Sequence, residues 1–121
     1  MAIIKSFRDL DVYVLSREQA RKIFVVSKSF PKEERFGLTS QVRRAAVSIA
    51  ANVAEGAART STKEFLQFLS VSQGSASEAD TELVIACRLG YLTKNEYEYF
   101  GRELDDIGRM ITRLSQSLRR R

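Results

Sequence analysis

The sequence has no histidine, no tryptophan, one cysteine and one proline. Without histidine, the commonest general acid–base and the commonest metal ligand are both missing. Di-iron helical bundles, which need Glu-x-x-His pairs, are excluded with them. Cys87 has no second cysteine to bridge to and no base to activate it. It sits in the apolar run 83–89 and reads as a buried structural thiol. Pro31 is the only proline, glycines number six, and β-branched runs are few, which together argue against a sheet. Long apolar runs are missing too. The weakly charged stretch at 45–54 is only ten residues and contains Ser48 and Asn52, whereas a membrane span needs about 20. The N-terminus has only a short apolar patch before charges resume, unlike a signal peptide. The expectation is a soluble, cytoplasmic protein with no membrane partner, no metal and no cofactor. Ser72, Ser75 and Ser77 lack an activating base. Gly56, Gly74 and Gly101 stand alone in helical patterns, with no phosphate-cradling loop, and read as marks of close helix contact. No catalytic constellation exists, so the chain is not expected to be an enzyme.

What is present is helix periodicity. At 121 residues and 44% apolar content the chain is one domain, residues 1–121, and too apolar for disorder. A first helix is predicted over about 9–28, with Tyr13, Ser16, Ala20, Ile23 or Phe24, and Ser27 as its seam. Pro31 reads as the N1 residue of a short turn followed by acidic residues. A second helix is predicted over about 39–58. Ser61 with Glu64 reads as a capping box opening a third helix at 62–89, and Thr93 with Glu96 as one opening a fourth at 94–118. Gly90 is a natural residue to end the third. The fourth carries Tyr97, Phe100, Leu104, Ile107, Ile111, Leu114 and Leu118 on one side. Four amphipathic helices with short connections predict an all-α, antiparallel up-down-up-down four-helix bundle.

The second helix has too few charges. Leu38, Val42, Ala45, Ile49, Val53 and Gly56 form one apolar side. Beside it runs a polar stripe, Gln41, Ser48, Asn52, Glu55 and Arg59, which Ser75 and Glu78 of the third helix could face. Two readings stand: a hydrogen-bonded network that sets register, or a ligand groove. The remaining side carries Val47, Ala50, Ala51, Ala54 and Ala58 where charges belong. A helix that is small or apolar nearly all round is buried on more than one side, so these five residues are the expected oligomer interface.

Charge is uneven. Residues 1–77 carry 12 basic and 7 acidic groups, residues 78–106 carry 3 and 8, and residues 107–121 carry 5 and none. Such asymmetry suits nucleic acid or head-to-tail self-association, against the plainer reading of uneven solvated faces. Arginine outnumbers lysine 14 to 6, which favours phosphate contact. Arg17, Arg21, Lys22, Arg43, Arg44, Arg109 and Arg113, with the terminal arginines, are the candidate contacts to an RNA or DNA backbone. No base-reading motif is visible, and aromatics do not interleave with the arginines along the chain.

Three stretches, FPKEERFGLTSQVRRAAVSIAANVAEGAAR, KEFLQFL and GSASEADTELVIACRLGYL, carry a family likeness. Pro31 with Glu34, Gln41 with Arg43-Arg44-Ala45, Ser48, Asn52, Glu55-Gly56, Arg59, Gly74-Ser75 and Glu78 are its most specific parts. They closely resemble the four-helix-bundle family encoded in intervening sequences of bacterial large-subunit ribosomal RNA genes. That family includes the accessory variability determinant of diversity-generating retroelements. The resemblance spans about residues 7–118. It implies an antiparallel bundle that assembles as a homopentamer with a basic surface. It also implies nucleic acid and a reverse transcriptase as partners in the retroelement branch. The expected function is a non-enzymatic oligomeric bundle binding RNA or DNA through phosphates; a protein–protein adaptor is the alternative.

Overall fold

The computed structural model describes residues 6–120, with Asp9 by its backbone alone. Residues 1–5, where the signal-peptide question lies, and Arg121 of the basic tail lie outside the described residues. Four helices follow one another: α1 Asp11–Ser27, α2 Leu38–Ala57, α3 Thr62–Arg88 and α4 Lys94–Arg119. Short 3-10 turns occupy Phe7–Asp9 and Lys32–Glu34. Among the described residues no helix is long and apolar enough to cross a membrane.

Local chemistry explains the boundaries. Thr93 and Glu96 form the complete reciprocal box at the start of α4: the Glu96 amide donates to Thr93 Oγ1 at 3.0 Å and the Thr93 amide to Glu96 Oε1 at 2.8 Å. At α3 only half of the predicted box forms. Ser61 Oγ accepts from the Glu64 amide at 3.1 Å, but the Glu64 carboxylate takes the Ser61 hydroxyl instead of the backbone amide. α3 ends in a Schellman motif. Tyr91 N–H reaches Ala86 C=O, Gly90 N–H reaches Cys87 C=O, and Gly90 supplies the positive φ of 83°. Pro31 stays extended at ψ 147°, capping its 3-10 turn from outside rather than opening it at N1. Glu34 then takes the place of the missing α2 cap. Its Oε1 accepts from the Leu38 amide at 3.3 Å, while its Oε2 accepts from Tyr91 OH at 3.0 Å, tying the α3–α4 connection to the start of α2.

Pairs between α2 and α3 and between α3 and α4 run in opposite numerical order, which makes each of these neighbours antiparallel. Ile49 accepts from Ser72 and Gly56 faces Phe65 and Phe68 between α2 and α3. Asp80 meets Tyr97 and Gln73 meets Gly108 between α3 and α4. Gln19 reaches Phe100 C=O and Glu103 between α1 and α4, and Arg43 reaches Phe24 C=O between α2 and α1. The all-α four-helix bundle is therefore present. Its centre is Ile23, Val42, Ile49, Val53, Leu69, Leu83 and Ile107, each 0–1% exposed, and each contributing about 1.5–3 kcal/mol by burial.

Tyr97 links α4 to α3 through a 2.9 Å hydrogen bond to Asp80. Burial, and then that bond, push its pKa up to about 12. Between pH 10 and about 12 the unfolded chain has released this proton and the folded chain keeps it, so stability falls as pH rises through that window. Tyr97→Phe is expected to flatten this alkaline limb in a plot of melting temperature against pH. An unchanged limb would show that the proton is not held at this position.

Candidate nucleic-acid interface

The seven candidate cations are divided by their surroundings. Lys22 is engaged within the chain: Nζ lies 2.8 Å from Glu103 Oε2 and 2.5 Å from Tyr99 OH. Desolvation works against its charge, yet these hydrogen bonds outweigh it and raise its pKa above the ordinary lysine value. Arg43 is also committed. Its Nε donates to Ser27 Oγ at 2.8 Å, its Nη2 donates to Phe24 C=O at 3.3 Å, and its guanidinium sits over the Phe24 ring. It straps the last turn of α1, where a cation also suits the helix dipole. Arg21 pairs with Glu18 at 2.5 Å, holding that carboxyl below its usual pKa, and Arg109 pairs with Asp106. Both pairs are solvent-screened surface i,i+3 contacts, weak enough for a phosphate to displace. Arg17, Arg44 and Arg113 are exposed and pair with no carboxylate among the described residues.

These cations do not form one patch. Arg17 and Arg21 recur along one exposed side of α1, Arg44 stands on α2 above a depression lined by Gln41, Ser48, Glu78 and Glu82, and Arg113 lies on α4 beside Leu10 and Asp11. Aromatics do interleave with basic groups in space, contrary to the linear reading. Arg8 sits 4.7 Å from the Phe7 ring centre, Arg17 5.6 Å from Tyr13 and Arg59 5.0 Å from Phe68. Arg59 finds its ring across a helix boundary, which order along the chain does not show. The topology also sets Arg8, Arg59 and Lys63 near the end of α4, so three cations join the interface question that sequence reasoning did not place there. The tyrosine four residues before Arg17 was the one available signal.

The polar stripe resolves into separate pieces. Ser48 and Ser75 hydroxyls share a hydrogen bond at 2.8 Å, and Asn52 Nδ2 donates to Ser48 Oγ at 2.9 Å and to Ser48 C=O at 2.8 Å. These three residues make a partly buried network between α2 and α3. Glu55 and Arg59 form their own surface pair at 2.5 Å. Gln41 and Glu78 are exposed and bond to neither group, so the expected seven-residue network contracts to Ser48, Asn52 and Ser75. Glu82 lies deeper, and burial followed by repulsion from Glu78 raises its pKa.

The small-residue side of α2 also needs one correction. Ala50 is 8% exposed, so it is buried within the chain's own fold. Val47 is 46% exposed, Ala51 and Ala58 are exposed, and Ala54 is half-buried. Phe24 and Val25 on α1 are 40% and 54% exposed. Gly74 has nothing within 4 Å of where a Cβ would stand, so it marks no close contact inside this chain. Gly101 meets Tyr97 only at ordinary distances, from 3.6 Å. Cys87 is half-buried at the edge of the core. Among the described residues no group of three or more His, Cys, Asp or Glu could hold a metal.

Comparison with known proteins places this geometry in a family. The chain is similar to a crystal structure of a protein of unknown function from the S23 ribosomal protein family of Bacteroides thetaiotaomicron VPI-5482. The TM-score is 0.80 at 25% identity, over 87% of this chain and 95% of that one. No curated protein matches. The family model for the 23S rRNA-intervening sequence protein matches residues 8–113. With nearly the whole bundle matched, the chain belongs to the 23S rRNA-intervening sequence protein family.

Proposed function

We propose that this chain is a non-enzymatic, cytoplasmic bundle that assembles with copies of itself, as a homopentamer, and binds nucleic acid through backbone phosphates. The observation that carries the nucleic-acid reading is the exposure of Arg17, Arg44 and Arg113, which form no ion pair among the described residues. The weakly held Arg21 and Arg109 back them. The family's tie to intervening sequences of 23S rRNA makes RNA the first ligand to test. Assembly rests on Val47 and Ala51, which stand exposed around one depression with the exposed Phe24, and on Ala58, exposed at the end of α2.

A salt titration of RNA affinity tests the reading. Binding should weaken steeply as salt rises. Arg17→Ala with Arg44→Ala and Arg113→Ala should reduce the log–log slope by roughly 0.7–0.9 for each phosphate no longer neutralised. Salt-independent affinity, or no binding at low salt, would overturn it. An adaptor role is the second reading, supported by Phe36, which is 89% exposed in the connection before α2. A reverse transcriptase is one partner for that role by family relation. A partner retained after nuclease treatment and lost on Phe36→Ser would favour it.

A further inference from the structure

Antiparallel packing gathers at one end of the bundle charges that the sequence spreads from residue 8 to residue 120. α1 and α3 begin there, and α2 and α4 finish there. Arg8, Arg59, Lys63, Arg113, Arg119 and Arg120 are all exposed at this end. Two of the acidic residues in the same region are occupied: Glu55 by Arg59, and Glu64 by the Ser61 hydroxyl and cap. Three guanidinium groups, those of Arg8, Arg17 and Arg59, sit over partly buried rings. Phe7 and Tyr13 meet edge to face at 5.0 Å, which joins two of these stacks into one unit.

A ring beneath a guanidinium restricts its plane and leaves the other side to solvent. Planar groups of this kind stack with nucleobases whatever their sequence, and only unpaired bases offer the face they need. We propose that this end of the bundle is a platform for single-stranded nucleic acid. Bases stack on the outer faces of Arg8, Arg17 and Arg59, and phosphates are held by Lys63, Arg113, Arg119 and Arg120. This rests on the nucleic-acid reading above and sharpens it: the strand form is specified, and binding moves from the sides of the helices to one end.

Replacing Arg8, Arg17 and Arg59 together with lysine keeps the charge and removes the planes. Fluorescence anisotropy with a labelled uridine 20-mer and with a 20-base-pair RNA duplex, at about 50 mM salt, should show wild type favouring the single strand. The triple lysine variant should bind the single strand about tenfold or more weakly, with the salt slope and the duplex affinity retained. Arg88→Lys, at the opposite end, should change neither. Circular dichroism melting of each variant checks the fold. A 2-aminopurine placed in the single strand gives a reading on wild type alone, because its fluorescence should be quenched on stacking. If wild type binds neither strand form, the nucleic-acid reading itself fails. If wild type binds but holds the duplex as tightly as the single strand, leaves 2-aminopurine unquenched, or is matched on the single strand by the lysine variant, the platform is overturned and the general reading stands.

Discussion

Replacing Gly56 with alanine is expected to destabilise the bundle, although alanine is the better helix former. A Cβ at this position would stand 2.9 Å from Phe65 Cδ1, 2.9 Å from Phe68 Cβ and 3.3 Å from Phe65 C=O. Phe68 Cβ and the Phe65 carbonyl are fixed to the α3 backbone, so α2 and α3 must separate to admit it. Overpacking of this kind costs about 1–3 kcal/mol, against up to about 1 kcal/mol recovered from helix propensity. The net loss is about 1–2 kcal/mol, or roughly 5–10 °C in melting temperature for a chain of this size. Gly56→Val, with two further carbons in the same space, should lose about 3 kcal/mol or more. Gly74→Ala is the matched control. Nothing lies within 4 Å of its Cβ position, so helix propensity acts alone and the melting temperature of the isolated chain should rise. The same substitution thus has opposite signs at two helix-interior glycines. A rise for Gly56→Ala would show that the close approach of α2 and α3 is absent.

Gly56 and Gly74 also show where sequence reasoning stops. Both read as marks of close contact, because an isolated glycine in a helix has the same pattern whether a neighbour presses on it or not. Periodicity was more informative. Phe100, Leu104, Ile107, Ile111 and Leu118 of α4 are buried where the spacing put them. The misses cluster where two adjacent positions compete for one side. On α1, Ile23 is fully buried while Phe24 is 40% exposed, and Val12 is buried where Tyr13 is half-buried. On α4, Ser115 is buried and Leu114 is half-buried. At about 100° per residue, neighbouring positions differ in burial only through the rotation of the helix about its axis, and rotation is set by partners on other helices.

The candidate interface was less legible for the same reason. Counting arginines located the cations but not their partners. Lys22 meets Glu103 some eighty residues away, and Arg43 meets Ser27 and Phe24 on the preceding helix; neither pairing has a local signature. Arg21 with Glu18 and Arg109 with Asp106 are three residues apart, and helix geometry alone brings them together. The juxtaposition of Arg8, Arg59 and Lys63 with the end of α4 follows from the antiparallel topology, which four helices and short connections had already implied. That part was recoverable from sequence once the helices were laid side by side.

Ala51→Glu is expected to dissociate the assembly and leave the protomer folded. Ala51 is exposed on α2, four residues beyond Val47, which is itself 46% exposed, and near Phe24 on α1. If this side meets another copy, the substitution places an unpaired carboxylate in a desolvated contact, at about 3–5 kcal/mol. That weakens each contact by a factor of roughly 10²–10⁴, enough to separate the copies at micromolar concentration. Glutamate is the sharper probe than lysine, whose longer side chain can carry its charge out to the rim. The cost to the isolated protomer is small. The new carboxylate lies four residues before Glu55, and like charges at that spacing cost about 0.2–0.5 kcal/mol. Sedimentation equilibrium should therefore find wild type at a multiple of the 13.7 kDa chain mass and the variant at the chain mass itself. Far-ultraviolet circular dichroism should be unchanged. A head-to-tail contact closes into a ring only when every copy uses both of its surfaces, so a small fraction of variant chains mixed into wild type should also leave open, incomplete assemblies. A variant that keeps the wild-type mass would return Val47, Ala51 and Ala58 to solvent. The scarcity of charge on α2 would then have to be explained by the folding of the single chain.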